Sequence, residues 1–447
     1  MSALEKYLDQ YAEPESLKLH GFPAGFSHGL VVPMYDEAPC ALDPLIKYID
    51  TIDNLLIIVV INRPPSDTNA TWAVELLAHP FLLNNPLTWQ SSCEGLALYS
   101  SDTGGLLIVD RCVTGAPIPI EQGVGLARKI GADILCSLIN QRKVTSPWIY
   151  NTDADALLPD DYFQQTNHLK KIPKDSQPRA ALIFPFRHIF VDDTPKLPTL
   201  LYEFSLHYYV AGLHSAASPY AYHTIGSTIC VDYLHYAKVR GFPKRSGAED
   251  FYLLNKLAKT GRIDSLISPT IQLQARESVR APFGTGRAVI NLAESIDPLS
   301  MPLYNPQCFH YLKFFIEVTH LLTQKPDSLL GVASDLAVRH DYAIDIELIA
   351  SIAQQFRLQE AIDHCFKHGK THKTRQRQMT HWFDGFRTLK FIHYLRDNGL
   401  PSIDIRYWLE HSDKHNPPYN AVLAILADRI SEEDNNNNLL PGDNSLT

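Results

Sequence analysis

Apolar residues are distributed in two textures along the chain. In the first two thirds they form short unbroken runs: "GLVVP" (29–33), "LLIIVVI" (55–61), "GLLIVD" (105–110), "PWIYNTD" (147–153) and "ALIFPFR" (181–187). Runs of this length, rich in β-branched residues and without polar alternation, predict strands buried on both faces, as in a parallel sheet. The segments between them have helical spacing. They are "APCALDPLIKYIDTI", "DTNATWAVELLAHPF" with Asp67 as its cap, and "GVGLARKIGADILCSLINQ" (123–141), apolar at 126, 130, 134, 135 and 138. Strand and helix alternate, which predicts an α/β fold: a mostly parallel sheet with right-handed crossovers and helices on both faces.

From about residue 311 the buried β-type runs stop. "YLKFFIEVTHLL", "DIELIASIAQQF", "LQEAIDHCF", "HWFDGFRTLKFIHYLRDNG" and "DIRYWLEHS" all carry helical periodicity. The pattern predicts an N-terminal extension over 1–26, a sheet domain over 27–310 and a helical domain over 311–432. The polar, low-complexity tail 433–447 is expected to be disordered.

Composition narrows the function classes. An apolar content of 45% is ample for a core, and a net charge of −9 argues against a nucleic-acid partner. No run of 18 apolar residues exists, so no transmembrane segment is expected. The polar, acidic start "MSALEKYLDQYAEPES" is unlike a cleaved signal. Seven scattered cysteines, with no C-x-x-C pair, suit a reducing compartment, and a cytoplasmic location is expected. Asn69-Ala70-Thr71 is formally a sequon but is read as loop.

Chemistry concentrates where strands end. Asp153 and Asp155 follow an apolar run, and in extended backbone residues i and i+2 point to the same side. In open α/β sheets ligands bind beyond the carboxyl ends of strands. Two such carboxylates suit Mg²⁺ or Mn²⁺ shared with phosphate oxygens. The plainer alternative is an Asp-rich turn, with Asp160-Asp161 capping the next helix. A second acidic pair, Glu249-Asp250, opens a predicted helix. It could provide a general base, or simply complement the helix dipole. "RESVRAPFGTGRAV" (276–289) combines Arg276, Arg280 and Arg287 with Gly284-Thr285-Gly286. It reads either as a loop closing over a diphosphate or as an exposed basic turn. His364, His368 and His372 are spaced by four, but Gly369 interrupts and basic residues crowd around them, so a solvated surface is the reading there. His207, His214, His223 and His235 are read as structural residues, one of which could complete a metal site.

Five segments in order, "VVPMYDE", "GVGLARKIGAD", "NTDADALLPDDYF", "TIGSTICVDYLHYAKVRGFP" and "GAEDFYLLNKLAKTG", resemble the motifs of family 2 glycosyltransferases of the GT-A fold, over roughly residues 27–300. The resemblance implies a metal-dependent transfer of a sugar from a nucleotide-diphosphate donor to an acceptor hydroxyl, most often with inversion. It implies that Pro33, Tyr35 and Glu37 border the base. Arg128 would help with the diphosphate, Asp153 would face the ribose and Asp155 the metal. Glu249 or Asp250 would be the catalytic base, with Asp250 preferred. Asn62 stands where the family often has a base-contacting Asp, and Lys129 where it has Asn. Two other classes remain open: a sugar-phosphate nucleotidyltransferase, and a non-catalytic transferase-like scaffold carrying a helical interaction module.

Overall fold

We describe a computed structural model of the chain, covering residues 1–92, 95–113, 116–166, 177–190, 195–275, 285–325, 327–340, 343–411, 418 and 420–439. It divides into two compact units, one of residues 1–194 and 224–287, the other of 195–223 and 288–447.

The first unit is built on strands β1 (His28–Met34), β2 (Leu55–Asn62), β3 (Leu87–Gln90), β4 (Leu96–Ser100), β5 (Gly104–Arg111), β6 (Trp148–Asn151), β7 (Ala156–Leu157), β8 (Arg179–Ile183), β9 (Phe186–Ile189), β10 (Ile229–Asp232), β11 (Arg262–Ser265) and β12 (Ile271–Gln274). Nine of them form one sheet in the order β11-β8-β10-β6-β1-β2-β5-β4-β3. Its centre, β6-β1-β2-β5, is parallel; β10 runs antiparallel to both its neighbours, as does β4. Strands β7, β12 and β9 make a separate small sheet. Every residue of β2 is buried, as its unalternating sequence requires.

Helices α1 (Ala3–Gln10), α2 (Asp43–Thr51), α3 (Thr71–Leu77), α4 (Pro80–Asn84), α5 (Gly123–Asn140), α6 (Lys196–Ser215), α7 (Tyr233–Lys238) and α8 (Glu249–Leu257) follow in chain order, with α6 in the second unit. Two close approaches show that helices cover both faces of the sheet. A Cβ on Gly104 would meet Ile49 of α2, and one on Gly29 would lie 2.3 Å from Leu135 of α5. Gly29, Leu56 and Gly105 are lateral neighbours, so Gly104, one residue earlier, points to the other face.

The chain leaves β1 for β2 on one side and returns, through α5, to β6 on the other. The crevice at the carboxyl ends of β1 and β6 is therefore a topological switch point, where open α/β sheets take ligands.

Residues 1–26, expected as an extension, belong to the first unit. The Tyr7 hydroxyl donates to Asp133 Oδ1, the Tyr236 hydroxyl to the same oxygen at 2.8 Å, and the Glu13 amide to Oδ2 at 2.8 Å. Lys129 Nζ reaches Asp133 Oδ2 at 2.8 Å and Tyr7 Oη at 2.7 Å. All this is buried on α5, and burial pushes the Asp133 carboxyl above its usual range while Lys129 opposes it. Lys129 is thus held by Asp133 of its own helix and by Tyr7 of α1.

Other expectations shift in detail. "ALIFPFR" is two strands rather than one, β8 and β9, which join different sheets around Pro185. Asp67 does not cap the following helix. It accepts the Asn69 amide and the Tyr35 hydroxyl, and α3 begins after Ala70. The antiparallel strands β3 and β4 and the short strands β7, β11 and β12 were too short or too mixed to predict.

The second unit is helical. Helices α9 (Thr285–Ala293), which straddles the unit boundary, α10 (Pro306–Leu322), α11 (Leu329–His340), α12 (Ile346–Gln355), α13 (Leu358–His368), α14 (His372–Trp382), α15 (Gly385–Asp397), α16 (Ile405–His411) and α17 (Ala421–Leu439) follow one another. Their core includes Phe309, Phe314, Phe315 and Phe391, all fully buried. Helix α6, placed by sequence in the sheet domain, packs here instead: Phe204 and Tyr208 meet Trp408, and Tyr208 meets Phe309. Residues 433–439, expected as disordered tail, continue α17, and 440–447 lie outside the described residues.

Removing Lys129 should be costly, because it strands Asp133 in the interior. Lys129→Met is expected to lower the unfolding free energy by about 3–5 kcal/mol, measured by urea denaturation of the full chain. An effect below about 1 kcal/mol would show that Asp133 carries no charge that needs Lys129.

Candidate active site

Beyond β6 the chain turns sharply. The Thr152 amide still donates to Val31 in β1, at 3.0 Å, and the Ala156 amide then closes a turn onto the Asp153 carbonyl at 3.2 Å. The Gln274 amide of β12 donates to the Asp155 carbonyl at 3.0 Å, so the small sheet holds the Asp-x-Asp turn from its far side. Asp153 keeps 35% of its side chain exposed.

Arg128, in the second turn of α5, meets this turn. Its side chain is 4% exposed, and each of its three nitrogens has an acceptor. Nη2 donates to Asp153 Oδ1 at 2.6 Å, Nε to Glu249 Oε1 at 2.9 Å, and Nη1 to the Thr152 carbonyl at 3.4 Å. The two acidic pairs of the sequence are therefore joined through one buried guanidinium. The resemblance implied a diphosphate partner for Arg128; here its hydrogen bonds go to the protein's own carboxylates. Gly226, just before β10, makes room for it, since a Cβ there would lie 2.5 Å from Nη2. Gly226 and Thr152 lie within segments that carry the resemblance, but the sequence pattern assigns a role to neither.

Glu249 and Asp250 open α8 after Ala248, which adopts left-handed backbone at φ 56° without a capping side chain. A non-glycine residue there is strained, and such strain gathers at functional positions. The two acids differ in role. Glu249 is buried and bonded to Arg128. Asp250 is partly exposed and accepts only the Phe251 amide, at 2.6 Å, among its described hydrogen bonds. Burial, and then the charge of Glu249, pushes the Asp250 carboxyl up to about 8, against the opposing Phe251 amide and Arg128.

The remaining predicted residues sit around this crevice or away from it. Pro33 is buried within β1. Tyr35 follows it and meets Trp72 edge-on at 6.2 Å, and Glu37 is buried. Asn62, at the end of β2, donates Nδ2 to the Met34 and Val60 carbonyls, which ties it to the strand backbone. Arg287 is exposed on α9, and no described hydrogen bond joins it to the acidic cluster. Arg276, Arg280 and Gly284 lie outside the described residues. Among the described residues no three His, Cys, Asp or Glu side chains are arranged to hold a metal by themselves. Of the histidines, His364 and His368 end α13 before Gly369 while His372 opens α14, so the three do not share a helix. His235 is bonded to Thr260. His207 and His223 stack edge-on in the second unit, where burial and then His207 and His214 pull the His223 imidazole down to about 3.

No known protein family matches the sequence, and no curated protein matches it. Among solved structures, one described as the crystal structure of a mycobacterial protein is similar at 13% identity, over 60% of this chain and 69% of that one, with a TM-score of 0.29. A likeness that weak carries no argument here.

The raised Asp250 carboxyl has a consequence for stability. Its unfolded value is about 3.9. Protonated burial therefore stabilises the fold fully below that pH, and the contribution is lost as pH rises towards about 8. The stability of the wild-type chain should fall relative to Asp250→Asn over this window and run parallel to it above. Denaturant midpoints of both proteins at several pH values check this; a constant difference from pH 4 to 9 would contradict it.

Proposed function

We propose that the protein is a glycosyltransferase of the GT-A type, moving a sugar from a nucleoside-diphosphate donor to an acceptor hydroxyl. The observation that carries this reading is the convergence of Asp153 and Glu249 on Arg128 at the switch point between β1 and β6, with Asp155 and Asp250 alongside. Sugar transfer needs two acidic groups with different tasks, one at the diphosphate and one at the attacking hydroxyl. The contacts of Asp153 and Glu249 with Arg128 support such a division.

Asp153 and Asp155 fit a divalent ion of the Mg²⁺ or Mn²⁺ class. They are hard oxygen donors, and the cluster's four carboxylates exceed its one guanidinium. With only two such ligands from the chain, the rest of the shell would come from water and the donor's phosphates. When bound, the ion offsets negative charge on the departing nucleoside diphosphate.

Arg128 holds Asp153 and Glu249 at fixed separation and so sets the distance between the donor and acceptor ends. Asp250 is the base. It is the partly exposed member of its pair, and Glu249 is engaged by Arg128. Its carboxylate takes the hydroxyl proton as the acceptor oxygen bonds to the anomeric carbon. The bond from that carbon to the diphosphate oxygen breaks, and its electron pair leaves with the diphosphate. A base with a pKa of about 8 is matched to work near neutral pH. The donor's base would meet the β1 end, near Tyr35, Glu37 and Trp72.

Two measurements test the reading. Calorimetry with UDP and GDP should show Mn²⁺-dependent binding that EDTA and Asp155→Ala abolish; equal affinity in every condition would refute the ion's role. Donor turnover, assayed as hydrolysis until an acceptor is found, should rise with pH on a limb near 8. Asp250→Asn should lose that limb and cut turnover on the order of 10²-fold with donor affinity kept. Near-normal turnover in that variant removes Asp250 as base.

A further inference from the structure

One surface of the first unit reverses the chain's acidic balance. The loop between α7 and α8 reads "RGFPKRSGA" and carries Arg240, Lys244 and Arg245, and Lys256 lies near the end of α8. All four are exposed, in a protein of net charge −9. Lys244 is neutralised by Glu13 at 2.7 Å. Among the described residues Arg240, Arg245 and Lys256 have no carboxylate partner.

The two arginines are nevertheless held in place. The Arg245 guanidinium lies 4.2 Å from the ring centroid of Tyr252, and that of Arg240 lies 4.2 Å from the ring of Tyr11. Their loop is fastened to the start of α5: the Gly125 amide donates to the Arg245 carbonyl at 2.9 Å, and the Ser246 amide to the Glu121 carbonyl at 3.0 Å. Stacked guanidinium groups keep their N–H edges for a ligand while losing little freedom on binding.

The placement relates these cations to the acid pair. Glu249, Tyr252 and Lys256 stand at i, i+3 and i+7 on α8 and so form one stripe along the helix. Arg245 covers the middle of that stripe. Seven residues of helix span about 10 Å, so a group held by Arg245 and Lys256 is within the length of a small molecule of the acids. Partial desolvation first, and then the charges of Arg240, Arg245 and Lys129, pull the Lys256 ammonium below its usual range.

We propose that Arg245, Lys256 and Arg240 form an anion site beside the acid pair, and that it holds a phosphate group carried by the acceptor. The assignment to the acceptor rests on the transfer reading above; the anion site itself does not. Phosphate suits the site because planar guanidinium forks and an ammonium on one surface match its several oxygens, and because a fixed negative group would orient the acceptor hydroxyl towards Asp250.

The test uses the full chain in EDTA, which removes any metal-dependent nucleotide binding. Inorganic phosphate and glycerol 3-phosphate are titrated by calorimetry, and phosphatidylcholine vesicles with and without phosphatidic acid are used for co-sedimentation. Saturable binding is expected, weakened about tenfold in Arg245→Gln and in Lys256→Gln and unchanged in the distant exposed control Lys47→Gln. Asp155→Ala should leave it intact. Co-sedimentation that Arg245→Gln abolishes assigns the phosphate to a lipid headgroup. Binding of glycerol 3-phosphate without co-sedimentation assigns it to a soluble acceptor. Non-saturable binding, or equal binding by all variants, describes an ordinary solvated basic surface and overturns the proposal. The readout also separates the two readings. Phosphate binding without any nucleotide binding would refute the transferase and keep the anion site. Nucleotide binding without phosphate binding would do the reverse.

Discussion

The site depends on one buried guanidinium. Arg128 can lie inside the protein because Asp153 and Glu249 both face it, and those acids can lie so near each other because Arg128 separates them. An ion cluster of this kind is weak evidence for stability, since dehydrating the charges costs about as much as their attraction returns. Its value is geometric. It ties the turn after β6 to the start of α8, and Gly226 accommodates it by having no side chain at all. Asp155 lies two residues past Asp153, and Asp250 follows Glu249 at the start of α8.

The sheet was largely legible in the sequence because its central strands are buried on both faces. "LLIIVVI" has no other reasonable place in a globular fold, and β2 is buried throughout. The helical C-terminal region was legible from its 3.6-residue period. Strands whose burial is partial or whose length is short, such as β3, β7 and β11, left no such mark. Helix α6 shows another limit. Its sequence is that of a helix in either unit, and only its aromatic partners, Phe309 and Trp408, decide where it belongs.

The candidate site was legible in part. The acids at 153, 155, 249 and 250 stood out because carboxylates are costly beside apolar runs unless something uses them. Their connection through Arg128 was not visible, because it is a contact between residues far apart in sequence. The roles of Lys129 and Asn62 were hidden for the same reason. One serves the N-terminal helix through Asp133, and the other serves the backbone of β1 and β2. The cations at 240, 245 and 256 are scattered in the sequence, and only the helical stripe and the aromatic stacking bring them together.

The hydrogen bond between Arg128 and Glu249 spans 121 residues of chain, and that to Asp153 spans 25. The second needs only α5 and the turn after β6, whereas the first also needs α8 in place. Closing so long a loop is slow compared with making local contacts. The Glu249 arm of the cluster therefore closes a much longer loop than the Asp153 arm. Both arms draw charges out of water, so assembly of the cluster is expected to respond to ionic strength in a way that burial of the apolar strands does not.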